Sequence, residues 1–189
     1  WSFTSLNNFI KKFNCKIYQV EKINTHGGSL RLYISKDLSV KCKLSISKIL
    51  KEENEFKIKD KKTYLRFEKN LYKKKINVIK NISWLKNKYK KLYGYAASAK
   101  TTVSMNYFDL DDSLIHSVID DNPLKQGKYI PGTGVKIVSK EKLSKQSCVI
   151  VFAWNMFHEI KKENQNKFKF FINIRDLYSE NFIKKFKKF

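Results

Sequence analysis

Cysteine is scarce in this sequence, and long apolar runs are absent. The three cysteines, Cys15, Cys42 and Cys148, lie far apart without a C-x-x-C spacing, so neither a metal site nor a disulfide framework is indicated. We expect no bound metal, and such thiols fit a reducing cytoplasm. No stretch approaches eighteen uninterrupted apolar residues, and residues 1–4 lack the basic and apolar regions of a secretion signal. The sequence therefore predicts a cytoplasmic protein without a membrane partner. The lack of an initiator methionine is expected of a piece of a longer chain.

Arginine is also rare, although the chain is strongly basic. Three arginines stand among 40 basic residues, and the formal net charge is +23. A basic surface can neutralise nucleic-acid phosphates, but proteins that read base edges rely on the bidentate fork of arginine. Lysine, asparagine, isoleucine, phenylalanine and tyrosine all have A/T-rich codons, so a coding bias would give the same excess of lysine. A basic nucleic-acid-binding module stays an alternative, but nucleic acid is not the partner we expect.

The N-terminal part of the chain predicts a helix and an antiparallel strand pair. Apolar residues at helical spacing occur in residues 2–13, and two β-prone segments flank Gly27-Gly28. Residues 37–62 are rich in lysine, glutamate and asparagine and predict a linker, with a short helical segment around 44–50. A longer helix is predicted at 63–85. Its apolar stripe predicts a packed face and consists of Leu65, Tyr72, Ile76 and Ile79, widened by Tyr64, Leu71, Val78 and Ile82.

From residue 90 onward, predicted strands and helices alternate. The strands are expected at about 90–96, 114–119, 135–138, 148–153 and 168–172, and the helices at about 101–107 and 155–164. This alternation predicts an α/β, Rossmann-like domain over residues 63–189, with a mostly parallel sheet and helices on both faces. Right-handed crossovers place the loops that follow the strands along one edge of such a sheet. Ligands bind at that edge, so we expect the functional residues there.

Two unusual runs lie at the predicted ligand edge. Residues 94–102 place small side chains where a strand passes into a helix N-terminus, whose backbone N–H groups favour an anion. Residues 120–129 follow an apolar strand with carboxylate, amide and ammonium groups that suit a diphosphate sugar. Together they indicate nucleotide recognition, although each run alone is also compatible with a turn that binds nothing. The candidate binding residues are Gly94, Tyr95, Ser98, Lys100, Asp121, Asn122, Lys125, Lys128 and Tyr129.

Known phosphate-binding patterns fit the first run only in part. Against G-x-G-x-x-G, the run keeps Gly94 and has alanine at the other two glycine positions. Against G-x-x-x-x-G-K-[ST], it keeps Gly94, Lys100 and Thr101 but has alanine at the second glycine, and Asp120 is a candidate magnesium carboxylate. A P-loop-like domain that binds or hydrolyses nucleotides is therefore an alternative hypothesis.

Two further candidates lie outside these runs. Trp154 and Asn155 follow the 148–153 strand, where they would supply an aromatic wall and an amide to a ligand, or a core plug and a helix cap. His26 lies beside Gly27-Gly28 and is the histidine with the strongest case for a function. The three histidines form no recognisable metal or nucleophile set.

Taken together, these motifs resemble the C-terminal part of the sugar C-methyltransferases. The resemblance covers about residues 1–172, and the motifs occur in the family's order and at spacings that fit it. The segments that carry it are Thr25-His26-Gly27-Gly28-Ser29-Leu30-Arg31, residues 94–100, residues 120–129 with Pro131-Gly132-Thr133, and Ala153-Trp154-Asn155. Enzymes of this family use S-adenosylmethionine to methylate a carbon of a nucleotide-linked ketosugar. The sequence departs from the family at Thr101, where glycine is usual.

The resemblance also implies that different parts of the chain belong to different domains with different roles. Residues 1–36 would be the tail of a methyltransferase domain, and residues 63–189 would be the Rossmann-like domain that helps to bind the nucleotide-diphosphate sugar. The zinc-binding domain, the donor-binding glycine loop and the catalytic residues would precede Trp1. The implied partners are thus the nucleotide sugar and the missing methyltransferase domain, with S-adenosylmethionine as cofactor of the intact enzyme. We expect no cofactor and no methyl transfer in this fragment, and no catalytic residue other than the candidate His26.

Overall fold

The first helix begins at Phe3 because Ser2 caps it. In the computed structural model, which describes residues 1–187 except the side chain of Lys142, the Ser2 hydroxyl accepts a hydrogen bond from the Ser5 backbone N–H. The chain divides into two compact units, the first spanning Trp1–Lys69 and the second beginning at Asn70. The first unit contains helix α1 (Phe3–Lys11), strands β1 (Lys16–Ile23) and β2 (Ser29–Ser35), helix α2 (Leu44–Glu55) and the start of helix α3 (Lys61–Tyr89).

Strands β1 and β2 form the expected antiparallel pair, joined by a tight turn at Thr25–Gly27. The turn needs left-handed backbone, which His26 adopts with φ 54° and Gly28 with φ 119°. Glycine tolerates such angles without a steric cost. A small core forms around this pair and consists of Phe3, Ile17, Val20 and Ile49.

The stretch predicted as a linker, residues 37–62, contains α2. This helix is longer than the short segment expected around 44–50, and Ile49 buries its side chain in the core of the first unit. The Glu53 carboxylate accepts a hydrogen bond from the backbone N–H of Thr4, 2.9 Å away, in the first turn of α1. Residues 44–55 are therefore an integral part of the first unit. A composition rich in lysine, glutamate and asparagine did not reveal this because only one face of α2 is covered.

The apolar stripe predicted for α3 is wrong in part, because several of its residues are exposed. Leu65, Tyr72 and Ile76 are 51%, 63% and 50% exposed, whereas Val78 and Ile82 are fully buried. Leu85, which lay outside the stripe, is fully buried as well. The spacing from Val78 to Ile82 and Leu85 places these three side chains on one face, and that face packs into the core of the second unit. The apolar periodicity predicted that α3 is a helix, but it did not show which line of apolar side chains packs against the sheet.

The second unit is built on a five-stranded parallel sheet. Its strands are β3 (Leu92–Tyr95), β4 (Ser117–Ile119), β5 (Ile137–Val138), β6 (Cys148–Val151) and β7 (Phe170–Asn173). Its remaining helices are α4 (Ala99–Tyr107), α5 (Phe157–Asn164) and α6 (Phe182–Phe186). The spatial order is β5-β4-β3-β6-β7, which is the Rossmann order with the first strand of the sheet at its centre. This confirms the predicted fold class.

Helices cover both faces of the sheet, as expected. On one face, α3 and α4 pack against side chains such as Leu92, Val118 and Ile150. On the other, Ile160 of α5 joins the cluster that contains Val149. Most strands are shorter than predicted, because the apolar runs extend beyond the ladder into buried loops, as at Ile115 and Phe152.

The strand order reverses between β3 and β6. From β3 the chain moves outward through β4 to β5 and then returns to the other side of β3 to form β6 and β7. In sheets of this kind, the reversal separates the two loops that leave the carboxyl ends of the central strands, and ligands bind in the crevice between such loops. Here those loops are residues 96–98, before α4, and residues 152–156, before α5.

Candidate functional site

The carboxyl ends of β3 and β4 bring the two predicted runs together. The Tyr95 hydroxyl donates a hydrogen bond to Oδ2 of Asp121, 2.6 Å away. The backbone N–H of Ala97 donates to Oδ2 of Asp120, at 2.7 Å. The Lys125 ammonium donates to the carbonyl of Ala97 at 3.0 Å. These contacts join residues 23 to 28 positions apart in sequence, so the two runs form one continuous edge.

Asp120 organises this edge although it was not chosen as a binding residue. Its carboxylate is nearly buried and also accepts hydrogen bonds from the backbone N–H of Asn122, at 3.0 Å, and from the Lys125 ammonium, at 3.2 Å. Its carbonyl accepts a hydrogen bond from the Gln126 side-chain amide. The ammonium group of Lys125 is thus already committed to protein oxygens. Both residues hold the loop in place, so Lys125 is less available to a ligand than the sequence alone suggested.

Asp121 and Tyr95 belong to a second polar network. Oδ1 of Asp121 lies 2.9 Å from the Lys140 ammonium, and the buried Asn164 side chain donates to the Tyr95 hydroxyl at 3.2 Å. Partial burial alone would raise the pKa of Asp121, but the hydrogen bonds from Tyr95 and Lys140 outweigh it and hold the pKa below its usual value. Burial, together with the neighbouring Asp121, raises the pKa of Tyr95. At neutral pH this network therefore presents an ionised carboxylate beside a protonated phenol.

Helix α4 begins at the same edge with a capping box. Ser98 is the N-cap, and its hydroxyl accepts a hydrogen bond from the backbone N–H of Thr101. Lys100 lies in the first turn, partly exposed. The Thr101 hydroxyl is fully buried and donates to the carbonyl of Ala96, so it is unavailable to a magnesium ion. This contact is evidence against the P-loop interpretation.

Gly94 lies inside the sheet rather than in a phosphate-binding loop. It pairs with Val118 on one side and Ile150 on the other, and it is buried. A Cβ atom at this position would lie 2.9 Å from Cγ2 of Val118 and 3.0 Å from the ring of Phe152. The small size of Gly94 is therefore required for packing within the sheet, and the glycine patterns that begin at this residue do not form a glycine loop.

The rest of the second run extends towards the edge strand β5. The carbonyl of Lys128 accepts a hydrogen bond from the backbone N–H of Ile137, and Tyr129 forms an antiparallel bridge with Lys136. Both side chains are exposed, and within residues 1–187 neither makes a hydrogen bond with the first run. Asn122 caps its own turn, because its side-chain oxygen accepts from the Leu124 N–H. The second run is thus divided between the central edge and β5.

Trp154 lies in the loop that follows β6, on the other side of the strand-order reversal from β4 and β5. Its indole packs against the same core cluster as Ala97, and Asn155 beside it is exposed. The guanidinium carbon of Arg175, which follows β7, lies 4.0 Å from the centre of the Trp154 ring. Sequence reasoning missed Arg175. Two features of the sequence could have indicated it: only three of the 40 basic residues are arginine, and Arg175 follows an apolar strand.

His26 does not share a compact unit with the other candidates. It is exposed in the turn between β1 and β2, in the first unit, whereas the remaining predicted site residues lie in the second. Over residues 1–187, apart from the Lys142 side chain, no group of three histidine, cysteine, aspartate or glutamate side chains is arranged to hold a metal ion. The helices within that range include none that is long and apolar enough to cross a bilayer.

Comparison with known proteins agrees with this architecture. No curated protein matches the sequence significantly. A family model described as the C-methyltransferase C-terminal domain matches residues 24–172, which include both runs, the Trp154 loop and all five strands except the last residue of β7. The match covers well over half of the chain, and we conclude that the chain belongs to the C-methyltransferase C-terminal domain family.

Proposed function

We propose that this chain holds the nucleotide diphosphate of a ketosugar for a C-methyltransferase that uses S-adenosylmethionine. The observation that carries the proposal is the meeting of the two runs at the carboxyl ends of β3 and β4, where Tyr95 contacts Asp121 and Ala97 contacts both Asp120 and Lys125. This edge adjoins the reversal of strand order, the usual ligand position in such sheets. The family match supports the methyltransferase context.

The proposed diphosphate site is the start of α4. Ser98 satisfies the N–H of Thr101, while the N–H groups of Ala99 and Lys100 belong to the first turn, which has no intrahelical acceptors. These groups, the helix dipole and the Lys100 ammonium together favour an anion. The ionised carboxylate of Asp121, 51% exposed, is placed to accept hydrogen bonds from sugar hydroxyls. Trp154 and Asn155 form the opposite side of the crevice.

The role proposed for this chain is positioning. S-adenosylmethionine supplies the methyl group in the intact enzyme, and we propose no binding site for it among these residues. Methylation next to a ketone requires a base to remove a proton and a group to stabilise the enolate oxygen. A domain that fixes the remote nucleotide reduces the entropy lost when the sugar meets those groups. His26 remains the one catalytic candidate in this chain.

Calorimetric titration with nucleoside diphosphates tests the proposed site. Uridine, thymidine, cytidine and guanosine diphosphates would be titrated into the chain and into two variants, Lys100→Ala and Lys91→Ala, without magnesium. Lys91 is the matched control because it is exposed and directly precedes β3, at the opposite end of the sheet. We expect Lys100→Ala to weaken binding about tenfold or more, since it removes a charge-assisted hydrogen bond.

Two outcomes would contradict the proposal. If the parent chain binds none of the diphosphates, the site does not hold a nucleotide. If Lys100→Ala and Lys91→Ala bind equally well, the ligand does not lie at the start of α4. A parallel titration with nucleoside triphosphates tests the P-loop-like alternative, which would be favoured by binding of a triphosphate that requires magnesium.

A further inference from the structure

Arg175 and Trp154 form a stacked pair at the carboxyl ends of β6 and β7. Trp154 lies three residues after β6, and Arg175 lies two residues after β7. The guanidinium carbon is 4.0 Å from the centre of the indole ring, which is close contact for a cation over an aromatic face. Because β6 is the neighbour of β3, this pair lies at the same edge as the start of α4.

The guanidinium of Arg175 has no anionic partner in the part of the chain that the structure describes. Its side chain makes no ion pair and no hydrogen bond there, and the adjacent Asp176 does not pair with it. The one hydrogen bond of this residue joins its backbone N–H to the side-chain oxygen of Asn173, at 3.0 Å. Arg175 is exposed. Its five N–H donors are therefore held in a fixed plane and are free to bind an anion.

The use of arginine at this position is itself informative. The chain has 40 basic residues, of which only three are arginine, and among the described residues Arg175 is the one of these three that lies over an aromatic ring. A guanidinium differs from an ammonium because it is planar, stacks on aromatic rings and binds phosphate oxygens with two parallel hydrogen bonds. Beside Trp154, a guanidinium can therefore stack on the indole ring and still bind phosphate oxygens through its N–H groups.

The stacking also changes the expected role of Trp154. One side of the indole packs against the main core cluster, and the Arg175 guanidinium lies over its ring. A nucleobase could stack directly on this ring only by displacing Arg175. Trp154 is thus better placed to orient the guanidinium than to bind a base.

We propose that Arg175, oriented by Trp154, binds the diphosphate of the nucleotide ligand from the side opposite the start of α4. This inference rests on the proposed function. The diphosphate would lie between two sources of positive potential: the α4 N-terminus with Lys100, after β3, and the Arg175 fork, after β7. The sequence-derived site contained only the first of these.

Titration of arginine variants with the same nucleoside diphosphates tests this inference. Arg175→Gln removes the charge and the fork, Arg175→Lys keeps the charge without the fork, and Trp154→Leu removes the stacking surface. Arg66→Gln is the matched control, because Arg66 is an exposed arginine of α3 and makes no ion pair among the described residues. Circular dichroism verifies that each variant remains folded.

We expect Arg175→Gln to weaken diphosphate binding about 10- to 100-fold, as loss of hydrogen bonds to a charged group does. Arg175→Lys and Trp154→Leu should each lose part of that affinity, and Arg66→Gln should bind like the parent.

If the parent binds and Arg175→Gln matches Arg66→Gln, this inference is wrong while the site at Lys100 stands. If Arg175→Lys and Trp154→Leu both keep full affinity, the stacked fork is not the binding group. If the parent binds no diphosphate, the proposed function fails and this inference fails with it.

Discussion

The carboxylate of Asp120 links the two runs at the level of single residues. It accepts hydrogen bonds from Ala97 in one run and from Asn122 and Lys125 in the other. A buried carboxylate needs such partners, because burying an unpaired charge costs several kcal/mol. The contacts of Asp120 therefore fix the relative position of the loop before α4 and the turn after β4. A ligand that binds across the two runs depends on this geometry.

Replacement of Asp120 should consequently destabilise the fold much more than replacement of its neighbour. We expect Asp120→Ala to cost about 2–4 kcal/mol in the free energy of unfolding, because it leaves two backbone N–H groups and the Lys125 ammonium without their acceptor. Asp121→Ala should cost about 1 kcal/mol or less, since the Asp121 side chain is half exposed and Tyr95 keeps its hydrogen bond with Asn164. Urea denaturation of both variants measures the difference. Equal losses would show that Asp120 does not organise the edge.

The sequence revealed which residues lie at this edge but not how they pair. The two runs could be located because small residues and turn residues follow apolar strands at recognisable spacing. No feature of the sequence showed that Lys125 would bind Asp120 and Ala97, or that Thr101 would bury its hydroxyl against Ala96. Such pairings depend on the three-dimensional course of the loops. Arg175 was missed for a related reason, since only the neighbouring strands place it beside Trp154.

At the level of elements, helix α3 shows how an apolar pattern divides between core and surface. Its buried apolar side chains lie on one face between Val78 and Leu85, while Tyr72 and Ile76 remain exposed. Two isoleucines of this helix therefore have the same chemistry and opposite environments. Ile82 is fully buried, and Ile76 is 50% exposed. They form a matched pair for testing which face packs on the sheet.

Truncation of these two isoleucines should have clearly different effects. We expect Ile82→Ala to lower the free energy of unfolding by about 2–5 kcal/mol, the usual cost of a cavity in a packed core. Ile76→Ala should change it by about 0.5 kcal/mol or less, as at most surface positions. Both substitutions place alanine in the same helix, so any difference in helix propensity is shared. Similar losses in chemical denaturation would mean that the line predicted from the sequence, which includes Ile76, is buried after all.

The order of elements in the second unit was largely predictable, whereas their extents were not. Alternating apolar segments and turn residues indicated five strands and a parallel sheet, and all five strands are present. Strand ends were less predictable because residues such as Ile115 and Phe152 are buried outside the hydrogen-bonded ladder. Gly94 illustrates the same limit. Its sequence context suggested a phosphate loop, but its neighbours in the sheet, Val118 and Phe152, account for its small size.

At the scale of the whole molecule, residues 1–187 form more than one apolar core. One is confined to the first unit and includes Phe3 and Ile49, and two line the faces of the sheet in the second. The cysteines are distributed between these units, since Cys15 and Cys42 lie in the first and Cys148 lies in the second. Cys42 is exposed, and Cys148 is fully buried in β6. The thiols can therefore report on the two units independently.

Cys148 should be protected from alkylation until the parallel sheet unfolds. Burial raises the pKa of its thiol to about 12, and the nearby Lys88 only partly opposes this, so the reactive thiolate is almost absent at neutral pH. We expect iodoacetamide to label Cys42 in the native protein and to leave Cys148 unlabelled even at pH 9, as measured by mass spectrometry of peptides. In increasing urea, labelling of Cys148 should follow the loss of the sheet, and a Cys42→Ser variant controls for reaction at the exposed thiol. Labelling of both thiols at similar rates without urea would contradict a central, closely packed β6.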